Sequence, residues 1–103
     1  MLPKYEHIEI SLLKELLRRG GSARPSDRRD GKTIYESLGE QFGLTKDDYE
    51  EEVIEPGTGA HRSKWENMVR WARRKLVEHG HIDNSVHGRW TLTSTGKREA
   101  GNQ

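Results

Sequence analysis

Residues 63–76 read SKWENMVRWARRKL, and the way this segment sorts its side chains decides how the rest of the chain is read. Its fourteen residues hold two tryptophans and five basic side chains. Ser63 followed by Glu66 gives the capping-box signature of a helix N-terminus, and Gly80 supplies the C-terminal stop. On a wheel at about 100° per residue with Trp65 at zero, Met68, Val69, Ala72, Leu76 and His79 fall within about 60° of it. That is the apolar seam of a helix buried along one side. Asn67, Arg70 and Arg74, with Ser63, fall between about 140° and 200°, on the opposite side. The spacing predicts a helix over 64–79 with one face for a core and another of asparagine and arginine.

Working outward, the same logic organises the flanks. Pro3 sits where a first helical turn tolerates it, and Tyr5, Ile8, Leu12, Leu13 and Leu16 recur at helical spacing until Gly20-Gly21. SARPSDRRDG, residues 22–31, reads as a polar loop. Thr33 with Glu36 opens a second helix, carrying Ile34, Tyr35, Leu38 and Phe42 on one side and closed by Gly43. Thr45 with Asp48 opens a short acidic third helix through about Val53, and EPGTGAH, residues 55–61, is a loop. Past the quoted helix, HIDNSVHGRWTLT reads as a hairpin: a short strand at Ile82, a turn from Asn84 to Gly88, and a strand with Trp90 and Leu92 on one face. The segment from Ser94 reads as polar and frayed. One domain over 1–93 and a polar tail or the start of a linker over 94–103 are expected.

Helix, helix, short helix, helix, two-stranded hairpin is the order of a winged helix-turn-helix. The fold class expected is therefore mainly α with a small β-hairpin. In that arrangement helix 64–79 enters the major groove of duplex DNA and the wing, 81–93, lies on the backbone. Arginine grips guanine with two hydrogen bonds and asparagine does the same to adenine, so Asn67, Arg70 and Arg74 suit base edges. A solvated helix more often mixes Glu and Lys on that face for i,i+4 pairs; here Glu78 is the neighbour placed to neutralise Arg74. Phosphate roles fall to Lys32 and Thr33 at a helix N-terminus, to Arg62 and Lys64 at the entry to the helix, and to His87 and Arg89 on either side of Gly88. Ser63 joins this DNA-binding set, although its first duty is as an N-cap.

Charge adds a weaker signal. The net charge is only +1, yet the charges are segregated along the 103 residues. A basic stretch over 18–32 and another over 61–75 flank an acidic one over 36–55, so a folded molecule has the means to present one positive face. Charge runs alone are ordinarily solvated helix faces. Hydrophobic residues make up 30% and charged residues 34%, enough apolar material for one small core because it falls in periodic clusters. There is no cysteine, which excludes a disulfide framework and thiol catalysis and fits a reducing cytoplasm. No apolar run approaches the ~20 residues of a membrane span, so a soluble cytoplasmic protein with no membrane partner is expected.

At these residues a family resemblance enters. WENMVRWARRKLVEHGHID followed by HGRWTLTSTG resembles the N-terminal winged-helix domain of the Mrr family of modification-dependent restriction endonucleases. The residues that carry it are Asn67, Val69, Trp71-Ala72-Arg73, Leu76, Gly80, Gly88 and Trp90, with FGLTKDD, EPG and the opening LPKY in the expected places. Met68 departs from the pattern, where arginine is more usual. The resemblance covers nearly the whole chain. It implies a double-stranded DNA specificity module, methylated DNA included, with a nuclease domain fused to it or associated with it that these residues do not contain.

Catalytic readings do not hold together. Gly31-Lys32-Thr33 follows Ser26 where a phosphate loop needs glycine, and His79 with His81 lacks a third metal ligand. DDYEEE reads as a solvated acidic helix and not a two-metal site. The chain is therefore expected to be no enzyme by itself and to use no cofactor or metal. Trp65 is a core residue and Trp90 the anchor of the wing, while Trp71, at about 240° on the wheel, sits on the boundary. It either packs under the wing or offers an aromatic surface to a flipped or methylated base. The reading that competes with DNA binding is a winged helix used as a protein-interaction domain, its basic faces set against an acidic partner.

Overall fold

The computed structural model describes residues 2–102, and the fold is mainly α with a small antiparallel β-sheet, as the sequence implies. Helix α1 (Tyr5–Arg18) buries Ile8, Leu12, Leu13 and Leu16, whereas Tyr5 at its first position stays exposed. Lys4 is the N-cap, so Pro3 lies just ahead of the helix and not in its first turn. The helix closes with a Schellman motif: the Gly21 N–H bonds the Leu16 carbonyl and the Gly20 N–H bonds that of Leu17.

The following segment is not wholly a loop. Ser22–Ala23 forms β1, which pairs with β5 (Trp90–Leu92), and β5 pairs in turn with β4 (Ile82–Asp83) to give the order β1-β5-β4. The expected hairpin is thus the outer part of a three-stranded sheet, with Ile82 opposite Leu92 and Trp90 opposite Ala23. Trp90 and Leu92 are buried on one face, as alternation demands.

Helix α2 (Ile34–Gln41) starts at the Thr33 capping box, both reciprocal bonds being made with Glu36, and buries Ile34 and Leu38. Helix α3 (Lys46–Glu50) has the Thr45–Asp48 box. The backbone N–H of Thr33 and that of Thr45 hold the Glu36 and Asp48 carboxyls below their ordinary values. Helix α3 stops at Glu50 and not at Val53, because Glu52–Ile54 is strand β2, paired with β3 (His61–Ser63). The EPGTGAH segment is the turn of this second hairpin, closed by the Glu55 N–H on the Ala60 carbonyl.

Helix α4 (Lys64–Glu78) is the quoted segment, and its seam is buried as the wheel requires: Trp65, Met68, Val69, Ala72 and Leu76. His79 departs from that seam, because it is the C-cap and exposed, where helical spacing no longer applies. The N-cap is half a box. Ser63 Oγ accepts from the Glu66 N–H at 3.2 Å, but Glu66 turns its carboxylate to Arg70 at 3.6 Å. Gly80, at φ +77°, closes α4 with the same Schellman motif as α1, which turns the chain directly into β4.

The tail expected from Ser94 is instead helix α5 (Ser94–Asn102), packed on α1, with Ala100 buried. Thr93 caps it, accepting from the Gly96 N–H at 3.0 Å and donating to the Gly80 carbonyl at 2.6 Å. Gly96 is required there, since a Cβ would lie 2.0 Å from the His81 carbonyl oxygen. The core is thus α1 against α4, roofed by α2 on one side and by α5 and the sheet on the other.

A buried ion pair sits at the end of α1. Arg19 Nε donates to Glu15 at 2.6 Å, and its remaining donors reach the Asp27 and Lys32 carbonyls and the Ser37 hydroxyl. Arg18 also grips Glu15, at 2.7 Å. Burial raises the Glu15 pKa, but the hydrogen bonds from Arg18 and Arg19 outweigh it and hold the carboxyl below its ordinary 4.5. A depressed carboxylate stabilises the fold above its unfolded pKa, and that stability is lost as pH falls through the folded value.

Two stability predictions follow from this packing. Trp65→Ala should cost roughly 3–5 kcal/mol in denaturant unfolding, because its ring is 1% exposed and meets Phe42 edge-on. A near-native midpoint would mean that α4 is rotated from this phase. Glu15→Gln should cost about 3–5 kcal/mol at neutral pH by leaving Arg19 uncompensated. Below pH 4.5 the variant should also lose less of its remaining stability than the native chain does. Parallel acid profiles for the two proteins would show that Glu15 is not a depressed carboxylate.

Candidate nucleic-acid interface

The outward side of α4 is reached by three surroundings: the β2–β3 hairpin, the N-terminal half of α2, and the β1-β5-β4 sheet. Arg62, Asn67, Arg70, Arg73 and Arg74 line a groove of about 630 Å³ between the hairpin and α4, together with Val53, Ile54, Glu55, Pro56 and Trp71. Thr33, Ser63 and Arg70 share a second concavity of about 570 Å³ with Tyr35, Arg28 and Glu66. Arg70 belongs to both. The structure therefore brings five of the residues singled out from sequence around a sixth, Arg70.

Four others lie apart. Lys32 lines a separate depression with Arg29 and Glu40, and its ammonium pairs with Glu40. Lys64 pairs with Glu51 at 3.7 Å. His87 is exposed in the turn between β4 and β5. Arg89 leans back on the sheet, its Nε donating to Ser22 Oγ at 2.8 Å.

Ion pairing divides these side chains. The acidic strand β2 pairs with the basic strand β3, so Glu55 takes Arg62, Glu51 takes Lys64 and Glu52 meets His61 at 3.4 Å. The Thr33 N–H, which the helix N-terminus would offer to an anion, is held at 2.9 Å by the Glu36 carboxylate. Among the described residues, Asn67, Arg74 and His87 have no hydrogen-bond or ion-pair partner. Glu78 pairs with Lys75 at 3.7 Å and leaves Arg74 alone.

Aromatic rings hold the α4 arginines, alone for Arg73 and Arg74 and together with Glu66 for Arg70. The Arg74 guanidinium lies 5.2 Å from the Trp71 ring centre, and Arg73 lies 5.7 Å from that of Trp90. Arg70 lies 5.7 Å from the Tyr35 ring and donates from Nε to the phenol oxygen at 3.2 Å. Burial holds the Tyr35 phenol above its ordinary pKa despite the nearby Arg70 charge, so it stays a neutral acceptor. Tyr35 in turn meets Trp90 edge-on at 6.2 Å, which ties the α4 face to the sheet.

Three contributors were not singled out for this role by sequence. Tyr35 is expected from spacing only on the apolar side of α2, with Ile34 and Leu38. Arg24, in the loop after β1, reaches the hairpin turn, its Nη1 3.2 Å from where a Gly88 Cβ would stand. Ile54 is 66% exposed on the hairpin that the sequence did not reveal. Trp71 is 45% exposed and lines the hairpin groove, so it does not pack under the wing; Trp90 does anchor the sheet to the body.

The arrangement can present amide and guanidinium edges to an acceptor-rich surface, and it holds no group of three or more His, Asp or Glu side chains fit for a metal among the described residues. No described helix is long and apolar enough to cross a membrane. The family model described as the Mrr N-terminal domain matches residues 7–100. No curated protein and no solved structure matches the chain.

Proposed function

Because the chain belongs to the Mrr N-terminal domain family, we propose that it is the duplex-DNA specificity module of a modification-dependent restriction endonuclease, acting on methylated DNA through a fused or associated nuclease domain. That domain spans these 103 residues almost whole, so a nuclease domain is not among them. The module is a winged helix, with α4 in the major groove and the β4–β5 wing on the backbone.

One observation carries the reading. The outward face of α4 keeps an asparagine and an arginine without polar partners, Asn67 and Arg74, beside an arginine held in place by Tyr35. Surface arginines with acids nearby usually find them, and here Arg62 has done so. Leaving Asn67 and Arg74 unpaired suits a partner that supplies acceptors in fixed positions, as base edges do. Asn67, Arg70 and Arg74 are thus the base readers. His87, Arg89 and Arg24 meet the backbone, Thr33 and Ser63 serve as caps that shape the site, and Lys32, Arg62 and Lys64 reach phosphates by exchanging their carboxylate partners for them.

The competing reading, a winged helix docked on an acidic protein, predicts different binding. Against duplex DNA, log affinity should fall steeply with log salt, by about 0.9 per phosphate contact. Arg89→Ala should weaken all duplexes alike and flatten that slope by about one unit. If it altered one sequence only, Arg89 would be reading bases.

Asn67→Ala should cost about 1–3 kcal/mol on the preferred duplex and leave scrambled duplex binding nearly intact. Circular dichroism is the control, since Asn67 faces away from the buried seam. The preferred site comes from a panel of unmodified, adenine-methylated and cytosine-methylated duplexes. Full discrimination by the variant would remove α4 as the reader and hand the lead to the protein partner.

A further inference from the structure

The groove between the β2–β3 hairpin and α4 holds two kinds of surface that a flat duplex edge does not use together. Ile54 and Trp71, 66% and 45% exposed, are large apolar side chains left out of the core, and Pro56 lies with them along the groove. Asn67, Arg73 and Arg74 line the same groove. Arg73 Nε is buried with no hydrogen-bond partner, so the chain itself supplies no acceptor for that donor. The groove's volume, about 630 Å³, lies within the usual range of sites that enclose a small planar molecule.

We propose that this groove receives a single base extruded from the bound duplex, stacked on Trp71. The proposal rests on the duplex-DNA reading above and goes beyond it by assigning the hairpin a purpose. Trp71 offers an exposed indole with the Arg74 guanidinium 5.2 Å from its ring centre, and base stacking on such a platform is tolerant of base identity. Asn67 brings an amide that can donate to or accept from the edge of the base. Arg70 and Arg74, while they read neighbouring base edges, also bring positive charge toward the phosphates on either side of the extruded nucleotide. An apolar partner helix would leave those arginines without anions, and a stacked duplex edge would leave Ile54 and Trp71 in water. A nucleotide with its base unstacked satisfies both.

Extrusion costs least where pairing is already broken. The test therefore measures affinity for a matched duplex, the same duplex with one central mismatch, and the unpaired single strand. The native chain should bind the mismatched duplex about tenfold more tightly than the matched one, and more tightly than the single strand. Trp71→Ala and Ile54→Ala should each lose most of that preference, Trp71→Phe should keep it, and all three should retain native circular dichroism because both side chains are exposed. Equal affinity for matched and mismatched duplexes would overturn the proposal and leave duplex binding standing. A mismatch preference that survives in Trp71→Ala would overturn it too, as plain duplex flexibility. Tightest binding to the single strand would move the base's source away from the duplex. No binding to any of the three would remove this inference and the DNA reading together.

Discussion

The Glu15–Arg19 pair is the constraint on which the placement of everything else depends. A charge buried at the end of α1 is tolerable only if its hydrogen bonds are met. Arg19 meets its own by reaching out of the helix to the Asp27 and Lys32 carbonyls and the Ser37 hydroxyl. Those three acceptors lie on the loop after β1 and on α2, so satisfying one guanidinium fixes the path of a polar segment that has few apolar side chains to fix itself. With Lys32 and Ser37 held, the first turns of α2 have one position. Tyr35 is then delivered to α4, where its carbonyl accepts from Trp65 Nε1 at 2.9 Å and its hydroxyl accepts from Arg70. An ion pair far from the outward face thus sets where the arginines of that face stand.

Much of this was legible because it is local. The Trp65 seam, the Thr33 and Thr45 capping boxes and the Gly80 stop each depend on residues within a few positions of one another, and all but His79 of the seam appear where the spacing puts them. What stayed hidden depends on contacts distant in sequence. β1 is two residues long and exists because Ala23 meets Trp90. The β2–β3 hairpin has three-residue strands with outward side chains, so no apolar alternation marks it. Helix α5 has a polar sequence with few large apolar residues. It forms where Thr93 caps it and Gly96 permits the close approach to His81, and neither signal is visible until β4 and β5 are in place.

The candidate site shows the same limit. The asparagine–arginine face of α4 follows from angle alone, and Ser63 does cap the helix. The charge pattern was the misleading part. Read along the chain, an acidic block between two basic ones invites the idea of a single positive face. In the fold, the acidic strand β2 lies beside the basic strand β3, and Arg62 and Lys64 are answered by glutamates. Segregation in sequence became pairing in space because a hairpin turn sits between the two blocks.

That leaves a distinction between two ways of holding an arginine. A carboxylate orients the guanidinium and cancels its charge, as Glu55 does for Arg62. An aromatic face orients it while leaving its N–H edges and its charge available, because the ring attracts the cation without accepting its in-plane donors. Arg74 is held in the second way by Trp71, and Arg73 lies over Trp90 with its Nε buried. Arg70 is intermediate: Tyr35 supports it from below and Glu66 stands 3.6 Å off at the half-made cap of α4. Had Glu66 completed its capping box, it would have turned away from Arg70 toward the Ser63 backbone. With the cap half-made, Glu66 offsets part of the charge in the first turns of α4, while Trp71 orients Arg74 without cancelling its charge.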